Sequence, residues 1–411
     1  MARRVAVTGM GIVGPCGLDE LAFWDRLVTG KGGVRRIHAF DPAAFKSQSG
    51  AEVDSAALDA ALAARGWRAQ ERCVDMALLA SAQALEQAGW LTPGAPPEPQ
   101  PIATIFGTGF GPAYAVSEAW NTVIVKGLRW VRPTTVPRII VNAIPAQVSM
   151  QFRLTGAHYA VVAACSSSTI AIGQGWRMIR DGYADQVLCG GVDSLFVPAI
   201  YAAWNNLGAM SRNPDPARAA RPFDLERDGF VMGEGAGAVL LESFDAARAR
   251  GTRIRGEIAG YGESSDAQHI TQPSVEGQMG VMRSALATAG VTPAQIAYIN
   301  AHGTGTKAND QTESESIRAV FGAAVDRALV GSNKSFFGHT MGASGAMETI
   351  ASLLSLENGR IPPNLNLEHP DPDCHVRLMG AVAEPLRGEY VMKNSFGFGG
   401  SNAVLILRHV E

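Results

Sequence analysis

The sequence contains no run of about 18 apolar residues, so no segment is long enough to cross a membrane as a helix. Neither sign of charge is in excess: 35 Lys and Arg stand against 38 Asp and Glu, which gives no footprint of nucleic-acid binding and no acidic tail. Cysteine is sparse. Cys16, Cys73, Cys165, Cys189 and Cys374 form an odd, scattered set with no CxxC pair. That excludes a disulfide framework, gives no zinc-type metal site, and suits a reducing cytoplasm. Residue identities show no internal repeat. The N-terminal "MARRVAVTGMGIVGP" has basic residues and an apolar run, but Thr8, Gly9 and Gly11 interrupt it. It reads as a first β-strand ending in a turn, not as a signal peptide. "FGTGFG" at residues 106–111 has neither the spacing nor the downstream acid of a dinucleotide loop.

What is present is apolar and glycine-rich. Hydrophobic residues make up 46% of 411, enough for a large buried interior and for two domains. The 46 glycines predict many tight turns. Short apolar runs ("RRVAVTG", "PIATIFGTG", "HYAVVAAC", "DQVLCGGVD") alternate with amphipathic stretches ("VDMALLASAQALEQAGW", "SSTIAIGQGWRMIRDG"). The alternation resumes after about residue 250 with "RGEIAGYG", "GQMGVMRSALATAG", "AYINAHG" and "TESESIRAVFG". This is the signature of an α/β protein with buried sheets. A break at residues 249–252 divides the chain into 1–250 and 251–411, and "LTPGAPPEPQPI" reads as a surface loop.

In "AVVAACSSSTIAIGQG" a strand runs into Cys165 and a helix follows. Unpaired N–H groups and the positive end of the helix dipole at that junction stabilise a thiolate, so the thiol pKa is expected to fall. The alternative is a buried structural cysteine, as read for Cys189 in "VLCGG". Two histidines occupy glycine-flanked loops: His302 in "NAHGTGT" and His339 in "NKSFFGHTMGASGAME". A thiol with two imidazoles suits thioester chemistry, in which sulfur holds an acyl group and ring N–H groups stabilise developing oxyanion charge. "KNSFGFGGSNAVLIL" places Gly397, Gly399 and Gly400 around Phe398, either as a tight hairpin or as a loop whose backbone N–H approaches a ligand.

In this order the four elements, with "RPFDLERDGFVMGEGAGAVLLE", resemble the β-ketoacyl-[acyl carrier protein] synthases, the condensing enzymes of the thiolase superfamily. The likeness runs from about Arg4 to Leu407 and is nearest to elongating synthases of dissociated fatty-acid and polyketide systems. It implies a thiolase-like, five-layered αβαβα fold of two related halves, the nucleophile in the first, both histidines and a glycine-rich gate in the second. It also implies a dimer, and an acyl carrier protein that brings the phosphopantetheine arm. An acyl chain would pass to Cys165, and malonyl-carrier protein would lose CO2 and attack it. By motif, His302 and His339 support decarboxylation. Cys165 and Phe398 supply the oxyanion hole, and Phe398 is also the gate. Lys334 is held by acids matching Asp310 and Glu313, its charge keeping His339 neutral. Glu348 follows on the next helix, and Thr304 and Thr306 hold the pantetheine. Phe110, Thr135 and Trp204 match acyl-pocket positions. Arg68, Arg72, Lys126, Arg129 and Arg132 match the carrier-docking region, while Gly208 stands where some relatives have a docking arginine. No metal or redox cofactor is required. A monovalent cation occurs in some relatives at positions matching Asn300, Glu348 and Asn394, but here Lys393 adjoins that place and its cationic side chain stands as a replacement.

Three other readings are weaker. A thiolase-type acyltransferase needs a second cysteine in the C-terminal glycine-rich loop, and "NSFGFGGSN" has none. A cysteine hydrolase does not need both histidines, the gate and Lys334 together. A non-catalytic scaffold of the chain-length-factor type would have lost the nucleophile, which Cys165 retains. A homodimer and a heterodimer with such a scaffold stay open, as do fatty-acid and polyketide or polyene substrates, with a lean toward a specialised pathway.

Overall fold

The strand order of the central sheet repeats itself. The computed structural model describes residues 3–410. Its ten-stranded mixed sheet contains β1 (Val5–Val13), β2 (Ala103–Gly107), β3 (His158–Val161), β4 (Gln186–Asp193), β5 (Gly235–Ser243), β6 (Gly256–Ser265), β7 (Ile296–Asn300), β8 (Leu329–Gly331), β9 (Tyr390–Gly397) and β10 (Ser401–Arg408). Side by side they run β8-β7-β9-β10-β6-β1-β5-β4-β2-β3. Counted within its own half, each set of five reads 3-2-4-5-1 from its edge inward. In both halves the outer pairings are parallel and the inner two antiparallel. The halves meet where β1 pairs with β6 at Ala6↔Glu257 and Val7↔Gly256. The repeat that residue identities hide is therefore plain in the topology.

Helices α1 (Arg72–Gln87) and α2 (Ala143–Phe152) pack on the outer face of the first half. Between the halves lies α3 (Ser167–Arg180); α4 (Val275–Ala289) and α5 (Lys307–Phe321) cover the outer face of the second; α6 (Ser344–Asn358) joins α3 in the middle. The result is five layers, αβαβα. The largest core cluster belongs to the central layer, where Ile170, Trp176, Met347 and Ile350 meet Val239 and Leu405 from the two half-sheets. Sandwiched strands explain the continuous apolar runs.

Local chemistry sets the ends. Glu71 caps α1 by accepting the N–H groups of Cys73 and Val74, and Thr306 caps α5 by accepting that of Asn309. Strand β5 escaped the sequence reading because "GAGAVLLES" opens on glycines, poor strand formers, yet every residue in it is buried. The proline-rich segment at 91–102 is an irregular, largely exposed loop, as expected. Among the described residues no helix is long and apolar enough to cross a membrane.

Candidate active site

Two glycines bring the central helices together at the site. A Cβ on Gly107 would lie 2.3 Å from the Ser167–Ser168 peptide, so β2 accepts the start of α3 only without a side chain. A Cβ on Gly345 would lie 2.1 Å from Thr169 Oγ1, so α6 crosses α3 at close range. Between β3 and α3, Ala164 adopts φ 49°, a left-handed value that a Cβ disfavours. The short 3₁₀ turn it opens, Ala164–Ser166, carries Cys165 at the head of α3.

Cys165 is 7% exposed, and its Sγ lies 3.0 Å from His339 Nε2. His339 Nδ1 accepts the N–H of Met341 at 3.2 Å and faces Ser344 Oγ at 3.0 Å. An acceptor Nδ1 places the ring proton on Nε2, toward the sulfur. His302 stands edge-on to His339, ring centroids 5.4 Å apart. Its Nδ1 is 3.4 Å from Lys334 Nζ, so its remaining proton also belongs on Nε2. The thiol and one ring nitrogen from each histidine lie within 4.8 Å of one another. Burial holds both imidazoles well below the ordinary histidine range, and the Lys334 charge lowers them further. The site thus offers two neutral N–H donors and one sulfur.

The thiol itself departs from expectation. Burial pushes Cys165 up to about 11, against the pull of Lys334 and of the N–H groups of Phe398 and Cys165. A helix N-terminus contributes about 0.3–2 kcal/mol to an anion, less than the cost of desolvating one here. Cys189, wholly buried on β4, is a core residue as read.

Lys334 also departs in its partners. Its Nζ donates to the His302 carbonyl at 2.6 Å and pairs with Glu348, and it stands beside His302, not His339. Asp310 and Glu313 do not hold it. Asp310 pairs with Arg227 at 3.3 Å and accepts the Phe223 N–H. Glu313 accepts the N–H groups of His302 and Gly303, both at 2.8 Å, and so fixes the histidine loop from behind. An acid on that face serves backbone donors because a buried N–H must be paired.

The cleft above Cys165 is lined by both histidines, Thr304, Thr306, Trp204, Phe230, Phe396 and Phe398. The hydroxyls of Thr304 and Thr306 are 2.9 Å apart at its wall. Phe398 occupies a 3₁₀ turn joining β9 to β10, so the glycine-rich segment is at once a hairpin turn and the rim of the site. Trp204 packs 5.8 Å from Phe398 and 5.5 Å from Phe230. Phe110 is displaced from the expected wall: it is 46% exposed, outside the cleft, with its ring 6.4 Å from Trp204. Thr135, on the short helix Thr135–Ile139, also lies outside it. The turn before Phe110 is fixed by Asp193, whose carboxylate accepts from Thr108 Oγ1, Gly109, Phe110 and Gly342. That buried carboxyl, raised to about 6 by burial, ties this turn to the His339 loop. The sequence reading missed Asp193 and Phe230; the acid closing the buried run "QVLCGGVD" was the available signal.

Of the docking candidates, Arg68, Lys126, Arg129 and Arg132 are exposed. Arg72 is not a free surface charge: it grips Glu234, with Nε–Oε2 at 2.9 Å, and donates to the Val53 carbonyl at 2.7 Å. A buried carboxylate draws the nearest guanidinium inward. Gly208 caps the helix Pro198–Leu207 with φ 76°, a conformation that suits glycine there better than arginine.

The monovalent-cation positions do not assemble into one cradle. Asn300 Oδ1 and Asn394 Oδ1 are buried without a hydrogen-bond partner among the described residues. Asn394, however, turns to the α5 side, donating to Glu313 at 3.0 Å. Both Glu348 oxygens already face ammonium groups, Oε1 that of Lys334 and Oε2 that of Lys393 at 3.0 Å. The remaining acceptors do not fit a further cation.

Residues 2–247 match the family model for the β-ketoacyl synthase N-terminal domain and 255–368 that for its C-terminal domain. A 3-oxoacyl-[acyl-carrier-protein] synthase 2 of Rhizobium meliloti is 39% identical over 417 residues, covering 99% of each chain. The solved ishigamide ketosynthase/chain length factor superposes with a TM-score of 0.90 at 34% identity, covering 100% of both chains. A type II PKS acyl-carrier protein in complex with its ketosynthase bound to the hexaketide gives 0.91 at 29%, again over 100% of both chains. With a thiol, two neutral imidazoles and a glycine-rich rim in one buried cleft, and with these likenesses over its whole length, the chain belongs to the β-ketoacyl synthase family.

Proposed function

We propose that this protein elongates carrier-bound acyl chains by decarboxylative Claisen condensation, with Cys165 as the acyl acceptor. The observation that carries the reading is the meeting of Cys165 Sγ with two imidazoles whose occupied Nδ1 atoms leave the ring proton on Nε2, that of His339 directed at the sulfur at 3.0 Å. Cys165 sulfur displaces the carrier thiol from an acyl thioester, and the thiol proton leaves on the carrier. Malonyl-carrier protein then loses CO2. Charge building on its thioester oxygen is met by the two Nε2–H donors, which stay neutral and keep their protons. The new carbanion attacks the Cys165 thioester, whose oxygen is held by the N–H groups of Cys165 and Phe398. Sulfur leaves as thiolate and takes one proton from solvent to restore the thiol, and the β-ketoacyl product departs on the carrier. Thr304 and Thr306 line the path of the pantetheine.

The acyl chain is limited by Trp204, wedged between Phe398 and Phe230, more directly than by Phe110. Purified protein with malonyl-carrier protein and an acyl-carrier series should therefore release β-ketoacyl products, and Trp204→Ala should shift the preference toward longer chains. Overpacking costs about 1–3 kcal/mol, or roughly 5- to 150-fold in relative acceptance. A profile unchanged in length would remove Trp204 as the limit, and absence of product across the series would remove the reading itself.

Carrier proteins are acidic, and Arg68, Lys126, Arg129 and Arg132 are the exposed cations offered to one. Arg129→Glu with Arg132→Glu should raise KM for carrier substrates, most at low salt, with kcat little changed. An unchanged KM at low salt would exclude these two.

The same stretch bears Trp120, Ile124, Val125, Leu128, Trp130 and Val136, all at least 57% exposed. Apart from it, β3 ends the sheet as an open edge beside the exposed Val162, a face suited to subunit contact. The protein is a dimer through this face, with a second copy or a chain-length-factor-like paralogue as partner; the mass of the protein expressed alone decides which. Five unpaired cysteines suit a cytoplasmic location.

A further inference from the structure

Lys393 takes no part in the steps above, yet it is wholly buried in the central layer. It lies on β9 in register with Asn300 of β7. Side chains alternate along a strand, so Lys393 and Ser395 point to the central helices while Asn394 points to α5. Its Nζ touches Thr169 Oγ1 of α3 at 3.0 Å and Ser395 Oγ, and stands 3.0 Å from Glu348 Oε2 of α6. Glu348 Oε1 holds Lys334, and Lys334 holds His302 through both its carbonyl and its Nδ1. The chain Lys393–Glu348–Lys334–His302 is unbroken, and every member is at most 3% exposed.

The charges explain why such a lysine is tolerated. Glu348 alone cannot neutralise two ammonium groups. Glu313, behind His302, is the other anion whose charge reaches Lys393, so two lysines are set against two glutamates. Without Lys393, Glu348 Oε2 would be a buried carboxylate oxygen with no cation and no donor, which costs several kcal/mol. The carboxylate would then draw Lys334 toward itself, and His302 would lose its support.

We propose that Lys393 is a positioning residue whose ammonium is the site's own covalently held cation, fixing Glu348 and through it Lys334 and His302, so that the synthase works without an alkali-metal ion. Burial lowers its pKa to about 8 against the opposing pull of Glu348, so at neutral pH the ammonium form still predominates.

This inference rests on the condensing reading, and its test separates the two. Melting temperature and malonyl-carrier decarboxylation are measured for the wild type in sodium, potassium, ammonium and choline chloride at equal ionic strength. Both should be the same in all four salts. For Lys393→Ser, decarboxylation in choline should fall roughly 10- to 100-fold, the scale of a misplaced catalytic group. Ammonium or potassium, entering the space left, should restore much of it. Acyl loading of Cys165, read by intact mass, should persist in the variant. A saturable rise in wild-type melting temperature with potassium would overturn the proposal, and this outcome needs no catalysis. So would a Lys393→Ser protein that decarboxylates at the wild-type rate in choline, or one that loses activity without rescue by any cation while its cooperative melt is intact. Should Lys393→Ser not fold, the wild-type ion series alone decides. Failure of the condensing reading would show differently, as a wild type that neither loads nor decarboxylates in any salt.

Discussion

Cys165→Ala should lose condensation by roughly 10⁴–10⁶-fold, the range seen when an enzyme loses its covalent nucleophile. The variant should remain folded, because replacing one thiol at a 7%-exposed position removes a single sulfur atom and leaves the backbone turn at Ala164 intact. The variant should still bind and decarboxylate malonyl-carrier protein, since that step uses the two imidazoles and not the sulfur. Intact-mass analysis after incubation with acyl-carrier protein checks it: the wild type gains one acyl group and the variant none. Cys189 is the informative control. It sits on β4 with no exposed surface, packed where a Cβ on Gly175 would lie 2.2 Å from its sulfur. An acyl group found on Cys189 in the variant would show that the nucleophile was misassigned.

Much of this site was legible in the sequence because its chemistry lies in short motifs. Cys165, His302, His339 and Phe398 each stand beside glycines or at a strand end, and the cleft brings all four together. What was not legible was partnership across the fold. Asp310 and Glu313, on one helix, match by resemblance the acids that hold the family lysine. Sequence cannot tell an acid that takes an ammonium from one that takes backbone N–H groups, and Glu313 takes those of His302 and Gly303. Arg72 matches the carrier-docking region by resemblance; Glu234, 162 residues away, holds it inside. Phe110 matches an acyl-pocket position by resemblance, but its backbone N–H is tied to the Asp193 carboxylate, 83 residues further on, and its ring stands outside the cleft. The Cys165 pKa was misjudged for the same reason. A helix terminus is visible in sequence, whereas burial of the thiol at the floor of a cleft lined by Phe396, Phe398 and two histidines is not.

His302→Ala and His339→Ala should each slow malonyl-carrier decarboxylation by about 10²–10³-fold, the usual cost of one oxyanion donor. Acyl transfer to Cys165 should fall far less. The asymmetry follows from where the protons sit. Nδ1 of each ring is occupied, by the Met341 N–H in His339 and by the Lys334 ammonium in His302. Each Nε2–H is therefore left for the cleft, that of His339 resting on the Cys165 sulfur until a substrate oxygen takes its place. The oxygen charged during acyl transfer is served instead by the N–H groups of Cys165 and Phe398, which neither substitution removes. The pH profile gives a second reading. Burial and Lys334 hold both imidazoles well below the ordinary value of 6.5, so they are neutral on either side of it. Decarboxylation by the wild type should accordingly show no inflection near that pH. For Lys334→Met, one of the two effects that keep the rings neutral is gone; the acid limb should move up toward neutrality as protonated imidazole becomes easier to form. Equal losses in loading and decarboxylation for both Ala variants would assign the histidines a structural role. A wild-type rate that falls as pH rises through 6.5 would mean that the donors are imidazolium and that Lys334 does not control their charge.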